Sequence, residues 1–349
     1  MRPADPARPL AGLLAVILLG TALGTVSGAE AEPDAGALLR ESMHAPAKIS
    51  YVGQLETVRF ASNRANANIV KIEHLAPNST RRWFVAPDSL YGDYIITRGP
   101  ASYEFDAKHL KVTVSRNPVF EDQVTADAIF DRAMSNYKCV ETASDSVAGR
   151  PTVSVVLMNK YTGERVVRVW LDRQTHLVLK REEYHANGAV ASEMRFEELR
   201  YTKSLPAGIF ATETPAGYKQ TKGHDYTMPT ADIDKAEREA GFKPYTPKDL
   251  PQGFALTSAS TGTVDGVTTL HLVYSDGLRT LSLFENATGA SPDFGTAHPR
   301  TVVFEGHDAE YVEDGPTTLL TWKEHGLHFA LVGDLLRTEL VEIAKSVIP

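Results

Sequence analysis

Leu10 to Val26 is almost wholly apolar, and the periodicity of the chain changes after it. Asp34–His44 predicts a short helix, with Ala37, Leu38 and Met43 apolar, Asp34 at the start and Pro46 as a stop. From there to about residue 202, short β-rich runs alternate with turn residues. They predict strands over Ser50–Phe60, Asn68–Leu75, Thr80–Ala86, Asp93–Thr97, Ser102–Asp106 and Leu110–Ser115. A helical stretch then intervenes over Thr125–Tyr137, where Ile129, Phe130, Ala133, Met134 and Tyr137 share one face. Strands resume over Lys138–Ala143, Thr152–Tyr161, Glu164–Asp172, Leu177–His185 and Ala189–Tyr201. Their connections are short, so neighbours must be antiparallel. Asn187-Gly188 predicts a two-residue type I′ turn, because both residues tolerate positive φ. Residues 50–202 thus predict one large, strongly curved antiparallel sheet with helices against one face.

Residues 203–229 lose this periodicity and hold Pro206, Gly208, Pro215, Gly217, Gly223 and Pro229, the composition of a linker. Thr230 or Asp232 caps a following helix that ends at Gly241. A second set of strands is predicted over Phe254–Thr261, Val267–Tyr274, Leu278–Glu285, Arg300–Phe304, Ala309–Val312, Thr317–Glu324 and Leu327–Val332. Leu335–Val347 closes the chain as an amphipathic helix with Leu336, Leu340, Ile343 and Val347 on one stripe. The expected fold class is α+β in two domains, 32–202 and 230–349, joined by the linker 203–229.

The start of the chain adds a compartment. Arg2 and Arg8 precede the apolar run, and Ala29-Glu30-Ala31 fits a small-x-small cleavage site. Residues 1–31 therefore read as a signal peptide cleaved near Ala31, which places the mature chain outside the cytoplasm. The formal charge of −8 gives no global field for nucleic acid. A single cysteine, Cys139, excludes an internal disulfide and any multi-cysteine metal site; it reads as a small, half-buried apolar side chain. No nucleophile elbow, HExxH, Walker or dinucleotide motif is present. His325 and His328 sit on a probable hairpin and face opposite sides if it is extended, so they read as surface or turn residues. No metal, cofactor or enzymatic activity is expected.

Aromatic content is concentrated in the first sheet. A large curved sheet with few helices encloses an apolar cavity suited to acyl chains or hydrophobic segments. The candidates for an acyl contact are Trp83, Tyr94, Tyr103, Phe105 and Trp170. Lys219, Lys222 and Arg279 are the candidates for an acidic headgroup or partner.

The order of short motifs carries a resemblance. Tyr51-Val-Gly53 opens the first sheet. Val169-Trp-Leu-Asp172, Thr175-His-Leu-Val-Leu-Lys180, Tyr184 and Asn187-Gly188 close it. Gly241-Phe242, Leu250-Pro251-Gln-Gly253-Phe254, His271-Leu-Val-Tyr274-Ser-Asp-Gly277-Leu278 and Ser282-Leu-Phe284 follow in the second half. This pattern, over roughly residues 40–347, resembles the periplasmic regulators of the RseB/MucB family. The resemblance implies a LolA-like first domain, an unclosed antiparallel β-barrel (half-barrel) with plug helices. It also implies a smaller C-terminal antiparallel sheet with flanking helices. The implied partner is the periplasmic part of a membrane anti-sigma factor, shielded from proteolysis until a lipid or lipopolysaccharide-type ligand displaces the regulator. The alternative is a periplasmic carrier of lipids or lipoproteins. Homo-oligomerisation is left open by the sequence.

Overall fold

The computed structural model describes residues 34–347 except 62–63, 117–122, 144, 186, 228, 265–266, 288–297 and 315–316. The expected signal peptide, with its apolar run and cleavage site, lies outside the described residues. The chain divides into two units at Lys222/Gly223.

Helix α1 (Ala35–His44) starts at Asp34, whose carboxylate accepts the Gly36 N–H at 3.4 Å. Strands β1 (Tyr51–Ala61), β2 (Arg64–Leu75), β3 (Ser79–Ala86), β4 (Tyr94–Arg98), β5 (Ala101–Asp106) and β6 (Lys111–Arg116) follow. Then come α2 (Gln123–Asn136), β7 (Tyr137–Thr142), β8 (Thr152–Asn159), β9 (Arg165–Asp172), β10 (Val178–Tyr184) and β11 (Val190–Tyr201). Strands β2–β6 form one antiparallel meander and β7–β11 another, and β1 joins them by pairing with β2 and β11. The start of β12 (Lys219–Tyr226) lies along β6, where the Lys219 N–H donates to Leu110 O at 2.8 Å. Among the described residues nothing pairs β7 with β12, so this twelve-stranded sheet is unclosed. The helices pack on each other and on β7. Arg40 of α1 reaches Asp127 and Asp131 of α2, both at 2.9 Å, with its guanidinium 4.2 Å from the Phe130 ring centre.

Two differences from the sequence expectation have physical causes. The hairpin between β10 and β11 is not a two-residue turn. His185 N–H donates to Ala189 O at 2.9 Å, three residues separate them, and Gly188 takes positive φ, at 81°. The side chain of Asn187 accepts the Ala189 N–H at 2.9 Å, a local bond that stabilises the longer loop. The expected linker 203–229 is structured in both halves, its second half by strand β12 (Lys219–Tyr226). Leu205, Ile209, Phe210 and Tyr218 pack on Ile96, Phe105 and Val112 as an irregular strap. Prolines 206 and 215 and Gly217, at φ 85°, hide its apolar contacts from any periodicity test.

The second unit runs from Gly223. Helix α3 (Ile233–Ala240) is capped by Asp232, which accepts the Lys235 N–H, and stops at Gly241 in the left-handed region, as expected. Strands β13 (Ala255–Val264), β14 (Val267–Ser275), β15 (Thr280–Asn286), β16 (Arg300–Phe304), β17 (His307–Asp314), β18 (Thr317–Glu324) and β19 (Leu327–Gly333) form a second antiparallel sheet. Its order is β13-β14-β15-β19-β18-β17-β16. Helix α4 (Arg337–Val347) buries Leu340, Ile343, Ala344 and Val347 against Leu320, Trp322, Phe329 and Leu331 of the sheet.

Candidate ligand and partner surface

Strands β3, β4 and β5 place Trp83, Tyr94 and Phe105 directly opposite one another. Side chains at such positions point the same way and touch. The rings stack, Trp83 on Tyr94 at 5.2 Å between centres and Tyr94 on Phe105 at 4.2 Å. The strap covers one end of this ladder. Phe105 is 2 % exposed, and Tyr94 and Tyr103 are half-buried against the same cluster. Trp83, half-buried at the other end, lines a groove of about 760 Å³ formed on β11, β1, β2 and β3. Tyr91 stands at this groove 69 % exposed.

The groove is amphipathic. Lys71 lies opposite Trp83, and Glu73 lies opposite Arg81, which donates to it at 2.5 Å. Glu198 and Arg200 come from β11, paired with Gln54 and Val52 of β1. Sequence reasoning missed these charged residues. Their signal is alternation along β2 and β3, where Lys71, Glu73, Arg81 and Trp83 occupy one face and Ile72 and Arg82 the other.

The remaining candidates are dispersed. Trp170 lies in a separate core with Leu177, Leu179 and Phe196, and the cations of Arg168 and Lys180 sit 4.3 and 4.7 Å from its ring centre. The structure therefore groups Tyr94, Tyr103 and Phe105 with Trp83 and leaves Trp170 apart. Lys219 and Lys222 are exposed on β12. Arg279 belongs to the second unit and is engaged there, donating to Asp276 at 3.0 Å and lying 5.4 Å from the Phe254 ring centre. His325 occupies a turn at φ 48° and stacks on Tyr245, whereas His328 is buried and shares a hydrogen bond with Thr321 at 2.5 Å. Cys139 is half-buried, and burial pushes its thiol up to about 11. Among the described residues no cluster of three metal-ligating side chains occurs.

Among the described residues, an unclosed antiparallel sheet with two helices, followed by a seven-stranded sheet with two helices, defines an α+β protein of two units. Residues 95–214 match the MucB/RseB N-terminal domain, and residues 244–347 match a domain of unknown function, DUF4367. The fold of the chain is that of MucB. A structure of MucB in complex with MucA(peri) aligns over 90 % of this chain and 98 % of that one, at 16 % identity and a TM-score of 0.55. The Pseudomonas aeruginosa MucA/MucB complex gives the same coverage and identity with a TM-score of 0.57. MucB alone aligns over 89 % of this chain and 96 % of its own, at 16 % identity and 0.54. No curated protein matches this chain in sequence.

Proposed function

We propose that this protein is a periplasmic negative regulator. It binds the periplasmic part of a membrane anti-sigma factor, shields it from proteolysis and lets go when a lipid signal binds. The observation that carries this reading is the fold likeness to MucB across both units, in a form solved with MucA bound, together with the MucB/RseB N-terminal domain. A partner segment docks by strand addition or as a helix in a groove. For the lipid, Trp83 at its amphipathic groove is the acyl contact that needs no core opening, and Lys71 and Arg200 stand ready for an acidic head. Tyr94, Tyr103 and Phe105 support the acyl site from the core, and Trp170, in a separate core, does not. Lys219 and Lys222 add exposed charge for the partner or headgroup, and Arg279 is the least available of the three.

The experiment is a pull-down of residues 32–349 from an envelope extract, with and without lipid. Recovery of one membrane anti-sigma factor, lost on adding lipid, is the expected result. Recovery of lipid or lipoprotein without such a partner assigns the protein as a carrier and overturns the regulatory reading.

A further inference from the structure

At about 760 Å³ the groove on β11, β1, β2 and β3 has the size of a small-molecule site, roughly 300–1,000 Å³. One face of β2 and β3 gives it Lys71, Glu73, Arg81 and Trp83, and β11 gives it Glu198 and Arg200. These charges fall into two sets. Glu73 and Arg81 are paired at 2.5 Å, and the Arg81 guanidinium also lies 5.7 Å from the Trp83 ring centre, so both charges are matched. Lys71, Glu198 and Arg200 are exposed, and their side chains make no ion pair or hydrogen bond among the described residues. The groove thus presents two free cations and one free carboxylate. Glu198 and Arg200 leave the same face of β11 roughly 7 Å apart along the strand, yet they do not close on each other.

That combination selects among headgroups. A head with negative charge alone satisfies Lys71 and Arg200 and is repelled by Glu198. A head with positive charge alone meets the reverse. An uncharged head leaves all three to water. A dipolar head answers all three, with its phosphodiester on Lys71 and Arg200 and its cation on Glu198. The guanidinium fork of Arg200 suits the paired oxygens of a phosphate. A carboxylate accepts hydrogen bonds, so Glu198 rewards an ammonium that carries N–H donors over a quaternary one that has none. Gln54, directly opposite Glu198, adds an amide oxygen for the same ammonium. Trp83 and the exposed Tyr91 line the groove beside these charges. Their π faces attract a cation and give apolar area to the glycerol and the first methylenes of a lipid.

We infer that the groove is selective for a zwitterionic phospholipid head, a phosphodiester joined to a primary ammonium, with Lys71 and Arg200 on the phosphate and Glu198 on the ammonium. This deepens the lipid-release reading by naming the class of lipid the groove receives, and it rests on that reading for its biological role.

The test is calorimetric titration of the full mature chain with three dihexanoyl phospholipids, each below its micelle concentration. Phosphatidylethanolamine carries both charges, phosphatidylglycerol has the phosphate without an amine, and phosphatidylcholine has a quaternary amine that cannot donate. The ethanolamine lipid is expected to bind at least about threefold more tightly than either of the others, the effect of one exposed charge pair. Glu198→Gln abolishes this preference: it weakens the ethanolamine lipid about threefold and leaves the glycerol lipid unchanged or tighter. Lys71→Met and Arg200→Met weaken all three lipids, because all three carry the phosphate. The three positions are exposed, so the variants are expected to fold, with melting temperatures close to the wild type. Equal affinity for the three lipids, or an unchanged preference in Glu198→Gln, overturns the headgroup inference and leaves the lipid-release reading standing. Binding of none of the three overturns the inference and the groove as a lipid site. The lipid-release reading is judged separately, by whether the anti-sigma partner captured by the same chain is lost on adding an envelope lipid extract.

Discussion

Phe105 and Trp83 occupy the two ends of one stacked ladder and differ in what their removal exposes. Phe105 is sealed beneath the strap, so Phe105→Ala leaves a cavity and costs about 3–5 kcal/mol in chemical denaturation. Trp83 loses mainly its stacking on Tyr94, so Trp83→Ala costs about 1 kcal/mol and instead weakens amphiphile binding. Equal destabilisation by the two changes refutes this division of labour. The sequence marks both residues as aromatic members of alternating strands. It does not show which is covered, because the cover comes from Leu205–Tyr218, about 100 residues further on and without periodicity. Glu285 makes a second residue-scale argument. It is 0 % exposed on the helix-packed face of β15 and accepts the Tyr245 N–H at 3.0 Å, and burial pushes its pKa from 4.5 to about 8. A carboxyl whose folded value lies above its unfolded value favours folding in its protonated form. Its contribution is whole below about pH 4.5 and is lost as pH rises through 8. At about 1.4 kcal/mol per unit, the second unit loses a few kcal/mol by pH 9. Glu285→Gln keeps the acceptor for Tyr245 and removes the titration. Its melting temperature is expected to exceed the wild type at pH 9 and to converge with it near pH 5. Parallel pH profiles of the two proteins contradict the assignment.

Elements were legible wherever one face is apolar and turns are short. Apart from β12, which lies in the expected linker, the strands of both sheets and the described helices α1–α4 fall within a few residues of their alternation or 3.6-residue stripes. The strap and the β10–β11 loop were not, because each is fixed by backbone contacts that leave no periodic trace. Gly53 is such a contact inside an otherwise regular strand. A Cβ there would come 2.3 Å from Glu198 O, next to the register shift at Gln54/Leu55, so β1 and β11 approach too closely for any side chain. Gly53→Val is expected to destabilise the first unit by at least about 2 kcal/mol. It should also raise hydrogen exchange along β1 and β11 selectively. Gly188→Ala is the control. Its position has open space and only the left-handed backbone to strain, at about 1 kcal/mol. A larger loss at Gly188 than at Gly53 would place the constraint in the hairpin instead of the strand contact.

At the scale of the whole molecule, the candidate surface was the least legible part, because its residues are neighbours in the sheet and strangers in the chain. Val52 meets Arg200 through the β1–β11 ladder, and Lys71 meets Trp83 through β2–β3. Each is an ordinary strand residue until the order β11-β1-β2-β3 is known. A regulator that exchanges a protein partner for a lipid must satisfy a thermodynamic constraint that a carrier need not. If lipid lowers the affinity for the anti-sigma partner by some factor, the partner lowers the affinity for lipid by the same factor. For a coupling of about 1–3 kcal/mol that factor is about 5–150. Measured on the full mature chain, partner affinity with and without saturating lipid and lipid affinity with and without saturating partner are expected to give matching ratios above five. Simple steric overlap would drive the ratio upward without limit as lipid concentration rises. A finite coupling levels off at the ratio set by the differential affinity, because a shift of the free and bound forms saturates once the lipid site is full. A plateau below about two-fold in both directions leaves lipid and partner independent. The release step would then have to be abandoned while the partner-binding reading stands or falls on its own.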